Sequence, residues 1–62
     1  MTIELYGHYY YRNENHVPRR ITIVGEGSTK GFYKYVEGHF TKEEIAAKDP
    51  EVFVIHANKI IE

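Results

Sequence analysis

The chain has 62 residues, no cysteine and a formal net charge of −1, and 42% of its residues are hydrophobic. One small domain over residues 1–62, near the lower size limit for folding without staples, is what this length allows, and its thin stability margin makes self-association an expected contributor. The absent thiols exclude a disulfide framework and a thiolate metal site, and the near-neutral charge argues against nucleic acid as the default partner.

In chain order, Thr2 to Tyr11 reads as a long strand with period-two alternation. Ile3, Leu5, Gly7, Tyr9 and Tyr11 share one face, and Thr2, Glu4, Tyr6, His8 and Tyr10 share the other. A polar loop, Arg12 to Pro18, closes on a proline that cannot donate to a central ladder. Arg19 to Val24 is the second strand, with Ile21 and Ile23 inward and Arg20 and Thr22 outward. Three glycines between Gly25 and Gly31 mark a turn that requires positive φ. Phe32 to His39 is the third strand, placing Phe32 and Val36 on one face and Tyr33, Tyr35, Glu37 and His39 on the other. Gly38 marks a bulge or a close backbone approach.

Thr41-Lys42-Glu43-Glu44 is a capping box, in which the Thr41 side chain caps the first turn and Glu44 reaches back to the Thr41 amide. The helix continues through Ile45, Ala46 and Ala47 and must stop by Asp49, because Pro50 disfavours helical geometry at the residue before it. About two turns are marginal alone, so packing through Ile45 and an alanine is expected to hold them. The last strand, Glu51 to Ala57, is apolar on both faces and reads as central, with the helix over one face. Its other face is left to Ile60 and Ile61 or to a second molecule.

The order β-β-β-α-β predicts a small α+β domain: an antiparallel four-stranded sheet with one short helix. The alternative is an SH3-like, partly open barrel, whose last strands are often joined by a single helical turn. The segment Phe40-Thr41-Lys42-Glu43-Glu44-Ile45, followed by Asp49-Pro50-Glu51 and a short apolar strand, resembles the C-terminal ends of small accessory proteins from phages and prophages. The resemblance covers about a third of the chain and implies an origin without assigning an activity.

No catalytic, cofactor or metal site is expected. The glycine loop has Lys30 where a dinucleotide fingerprint needs glycine, and Phe32 where a phosphate loop needs Lys-Ser or Lys-Thr. His8, His16, His39 and His56 are spaced by 8, 23 and 17 residues, which matches no common ligand pattern, although His8 and His39 share a face. Ser28, in a flexible loop, is the sole nucleophile candidate.

The feature left to carry function is aromatic. Opposite the face expected under the helix (Ile3, Leu5, Ile21, Ile23, Phe32, Val36, Phe53, Ile55), strand parity gathers Tyr6, His8, Tyr10, Tyr33, Tyr35 and His39, with Val24, Val52 and Val54. The Tyr and His side chains offer rigid contact area with a polar tip, and Tyr is enriched among interface hot spots. The plainer reading is cross-strand Tyr pairs stabilising a solvated face. A non-enzymatic module that uses this sheet face, or an exposed edge strand, to bind another protein or a second copy of itself is therefore expected. The alternative is a single-stranded nucleic-acid binder that stacks bases on Tyr10, Tyr33 and Tyr35 while Arg12, Arg19, Arg20, Lys30 and Lys34 track phosphates. No secretion signal is legible at the N-terminus, and the longest uncharged apolar run, Val52 to Ala57, is too short to cross a membrane. A cytoplasmic, complete chain starting at its native methionine is expected.

Overall fold

A computed structural model describes residues 2–61; the expected native start at Met1 lies outside the described residues. The elements are β1 (His8–Arg12), β2 (Pro18–Glu26), β3 (Phe32–Glu37), α1 (Lys42–Lys48), β4 (Phe53–His56), a 3₁₀ turn (Ala57–Lys59) and β5 (Ile60–Ile61). The sheet is antiparallel with the order β4-β3-β2-β1-β5. It has five strands where four were expected, because Ile60 and Ile61 pair with Tyr11 and Tyr10.

The connection between β4 and β5 dictates the shape. In a flat sheet these two edge strands would stand about 19 Å apart, at ~4.8 Å per strand. A single 3₁₀ turn at ~2 Å rise per residue spans less than half of that. The sheet therefore curls into a half-barrel and encloses the core on its concave side. That core is Tyr9, Ile21, Ile23, Tyr35, Ile55 and Ile60, with Ile3, Tyr11 and Tyr33 packed against it.

The helix does not build this core. Helix α1 buries none of its residues; Ile45 is half-buried and Ala46 and Ala47 are exposed, contrary to the packing expected of it. Its start is the capping box read from the sequence: the Glu44 amide donates to Thr41 Oγ1 at 3.1 Å, and the Thr41 amide donates to Glu44 Oε1 at 3.0 Å. Its end is Asp49 in the left-handed region at φ 46°, with its amide bonded to the Ile45 carbonyl. Two ammonium groups lie over aromatic faces, Lys42 over Tyr6 at 5.8 Å and Lys48 over Phe40 at 5.0 Å.

The first strand is shorter than expected. Residues 4–7 form a turn, with Tyr6 at φ 59° and the Gly7 amide bonded to the Glu4 carbonyl. The Tyr9 hydroxyl accepts from the Glu4 amide at 2.9 Å and fastens this turn to the sheet. Leu5, expected in the core, is exposed at the tip of the turn.

Candidate functional site

Residues paired across an antiparallel ladder share a face, so register determines which aromatics can meet a partner. Ile23 pairs with Tyr35, and Tyr33 pairs with Ile55, which puts both tyrosines on the concave side. Tyr35 is only 7% exposed and Tyr33 is half-buried. The expected platform is corrected accordingly: Tyr33 and Tyr35 leave it and line the core. Val36, expected beside Ile21, lies on the convex side with its partner Thr22, and Phe32 shares that side, edge-on to His56. The ladder also slips between Ile23 and Gly25, which leaves Val24 as an extra residue on β2 and inverts parity beyond it. A strand read in isolation cannot reveal either event.

Three expected members, His8, Tyr10 and His39, remain together outside the core. His8 and Tyr10 project from β1 on the convex side, and His39 folds back over them from the segment after β3. The His8 and His39 rings stack with centroids 4.4 Å apart and planes 5° apart, and Tyr10 meets His39 edge-on at 5.3 Å. Tyr6, in the turn before β1, is half-buried beside Lys42. His8 and Tyr10 are exposed and His39 is half-buried.

Thr22 holds the fold-back in place. Its side chain is fully buried on the convex face; Oγ1 donates to the Gly38 carbonyl at 2.7 Å and accepts from the Phe40 amide at 3.1 Å. Gly38 sits at φ +100°, and a Cβ there would come within 2.7 Å of the Phe40 ring, so the reversal requires glycine. The histidines then engage carbonyls, His8 Nε2 toward Phe40 at 3.2 Å and His39 Nε2 toward Tyr9 at 3.3 Å. A carbonyl only accepts, so each Nε2 carries the proton. Residues 38–40 thereby lie over Thr22, which was expected to face outward and is instead fully buried.

Arg12, Arg19, Arg20, Lys30 and Lys34 are all exposed. Arg20 pairs directly with Tyr10 on the convex face, and Arg12 lies two residues along the same side. Arg19 pairs with Tyr11 on the opposite face, Lys34 stands on β3, and Lys30 is in the β2–β3 turn. They form no single track. The turn between β2 and β3 leads into a strand, and of its glycines only Gly31 has positive φ.

Among the described residues, one depression of about 340 Å³ lies beside Glu26, Lys30 and Phe32, and another of about 420 Å³ lies between Arg12, His16 and Lys59. Neither includes a member of the convex cluster. Among the described residues no group of three or more His, Cys, Asp or Glu stands close enough to hold a metal ion. No helix formed by those residues is long and apolar enough to cross a membrane.

The ionisation of Tyr35 is displaced upward. Burial, then the adjacent Tyr11 phenol and the Glu37 carboxylate, push its hydroxyl up to about 12. That displacement belongs to the core and leaves the phenol neutral at physiological pH. No family model matches the chain, and no curated protein or solved structure is found similar to it. The fold and the convex cluster therefore stand on their own as the guide to function.

Proposed function

We propose that the protein is a non-enzymatic binding module that engages another protein through the convex cluster of His8, Tyr10 and His39, with Tyr6 in the turn before β1 as a further contact. The observation that carries this reading is the fixed stack of His8, His39 and Tyr10, anchored through Thr22 and left open to solvent. Pre-set aromatic groups lose little side-chain freedom on association, which is how rigid anchors gain affinity. The strand order and the 3₁₀ turn before the last strand support an SH3-like, partly open barrel as the scaffold. An origin among phage and prophage accessory proteins belongs to the same proposal, supported by the likeness of residues 40–51. A cytoplasmic setting is proposed with it, supported by the cysteine-free sequence.

A second reading is favoured by the pairing of Tyr10 with Arg20, which places a stacking ring beside a cation. Single-stranded nucleic acid would use that pair and Arg12. Burial of Tyr35 and the inward turn of Tyr33 leave Tyr10 as the one stacking tyrosine of the three, which puts protein binding first.

The experiment is an affinity capture from nuclease-treated and untreated bacterial lysate with the wild type and a Tyr10→Ser/His8→Ser variant of confirmed fold. A stoichiometric protein retained after nuclease treatment and lost in the variant supports the module. Captured nucleic acid, released steeply as salt rises, supports the second reading instead.

A further inference from the structure

The two edges of the sheet are not equivalent. β5 is two residues long, with Ile60 buried. β4 is longer, at four residues, and lacks three of the usual protections of an edge: from Val52 to Ala57 there is no charge, no proline and no bulge. Val54 is 58% exposed, Val52 49% and Phe53 37%. The ladder shows which main-chain groups point away from β3. The Ala57 amide donates to the Gly31 carbonyl, and β3 pairs with β4 through Tyr33–Ile55 and Tyr35–Phe53. Hydrogen-bonded pairs alternate in an antiparallel ladder, so Phe53 and Ile55 point their peptide groups at β3. Val52, Val54 and the His56 amide face outward, while the His56 carbonyl closes the 3₁₀ turn that His56 caps.

The geometry points to a second copy of this chain as the occupant of the β4 edge, joined antiparallel about a two-fold axis at Val54. In that register Val54 meets Val54 and the two exchange amide-to-carbonyl hydrogen bonds. Each His56 amide reaches the second copy's Val52 carbonyl, and Phe53 of each copy lies beside Ile55 of the other on the concave side. Charge favours the same direction. Asp49 and Glu51 precede β4 and Lys59 follows it, so antiparallel pairing brings the acidic end of one strand to the basic end of the other. Of the other nearby cations, Lys34 stands beside Val54 on β3, and Lys48 is drawn over the Phe40 ring. A parallel arrangement would place like charges together. The seam is shorter than those that bury ~1,200 Å² or more in stable complexes, so the dimer is weak and forms with rising concentration. It uses a different surface from the convex cluster and does not depend on that reading.

Sedimentation equilibrium of the full chain from about 1 µM to about 1 mM spans the affinity range of weak association. The expected result is an average mass rising from 7.3 kDa toward twice that value. Val54→Lys, which sets two ammonium groups against each other on the axis, should weaken the dimer at least tenfold. Glu51→Lys and Lys59→Glu should each weaken it without touching the ladder, and an equimolar mixture of the two should regain part of the loss. Tyr10→Ser/His8→Ser should dimerise as the wild type does, so failure of this seam and failure of the convex site are read separately. A monomer throughout the range overturns the inference, as does a dimer indifferent to Val54→Lys and to the charge exchange.

Discussion

His8 and His39 face one another with ring centroids 4.4 Å apart and nearly parallel planes, although Tyr9, whose carbonyl accepts from His39, stands 30 positions earlier in the chain. The contact joins the first strand to the segment that leaves the third, across the convex side of β2. Each ring is oriented by an Nε2–H bond to a carbonyl, so the stack is held at both ends. A double-mutant cycle with His8→Ala and His39→Ala should return a favourable coupling of at most about 1 kcal/mol, discounted for the exposure of His8. Zero coupling would mean that the rings are neighbours without interaction.

Thr22 is the more consequential group. Thr22→Val keeps the shape of the side chain but leaves the Gly38 carbonyl and the Phe40 amide without their partner. The expected loss is about 1–3 kcal/mol in denaturant unfolding, with the His39 ring resonances shifted toward those of a free imidazole. A variant of unchanged stability and unchanged His39 environment would remove Thr22 as the anchor of the convex cluster.

Gly38→Ala tests the same reversal from the backbone. At φ +100° an L-residue is strained, and the added methyl meets the Phe40 ring at 2.7 Å. Destabilisation of roughly 1–3 kcal/mol is expected by thermal or denaturant unfolding. The substitution should also free Lys48 from its position over Phe40, read as a shift of its side-chain resonances.

Tyr35 makes stability fall in alkali. Its folded value of about 12 stands above the ordinary 10.0, so as pH rises between them the unfolded chain gives up a proton that the folded one keeps. The contribution is complete below about pH 10 and is lost as pH rises through about 12, with an upper bound of about 3 kcal/mol at ~1.4 kcal/mol per unit. Tyr35→Phe should show a shallower decline than the wild type over that window in parallel urea titrations. Identical declines would show that Tyr35 loses its proton as readily folded as unfolded.

Thr41→Ala should act locally. Because α1 buries no residue, loss of its cap should speed amide exchange at Ile45 and Asp49 while the global unfolding midpoint moves little. A large fall in the midpoint would mean that the helix contributes to the core after all.

What the sequence determined by itself was local. The Thr41–Glu44 box needs only four consecutive residues, and it marks the helix start as observed. Pro50 required the helix to stop, and Asp49 adopts the left-handed geometry that stops it. Alternation in His8 to Arg12 placed Tyr9 inward and His8 and Tyr10 outward, since one strand with a clear apolar face carries its own parity. The spacing of His8 and His39 allowed them to meet but did not require it.

The tertiary structure decided the rest. Phe32-Tyr33-Lys34-Tyr35-Val36 carries large apolar or aromatic side chains on both faces, so its own pattern cannot choose an inward side; pairing of Ile23 with Tyr35 chooses it. The extra residue at Val24 is visible only against β3. Ile60 and Ile61 are too few to announce a strand, and they become one because the curl brings Tyr10 and Tyr11 beside them. Closure of the sheet on itself, instead of onto the helix, buries Tyr35 and leaves the β4 edge open. A side chain's face in a sheet depends on its neighbour across the ladder, and that neighbour is far away in sequence.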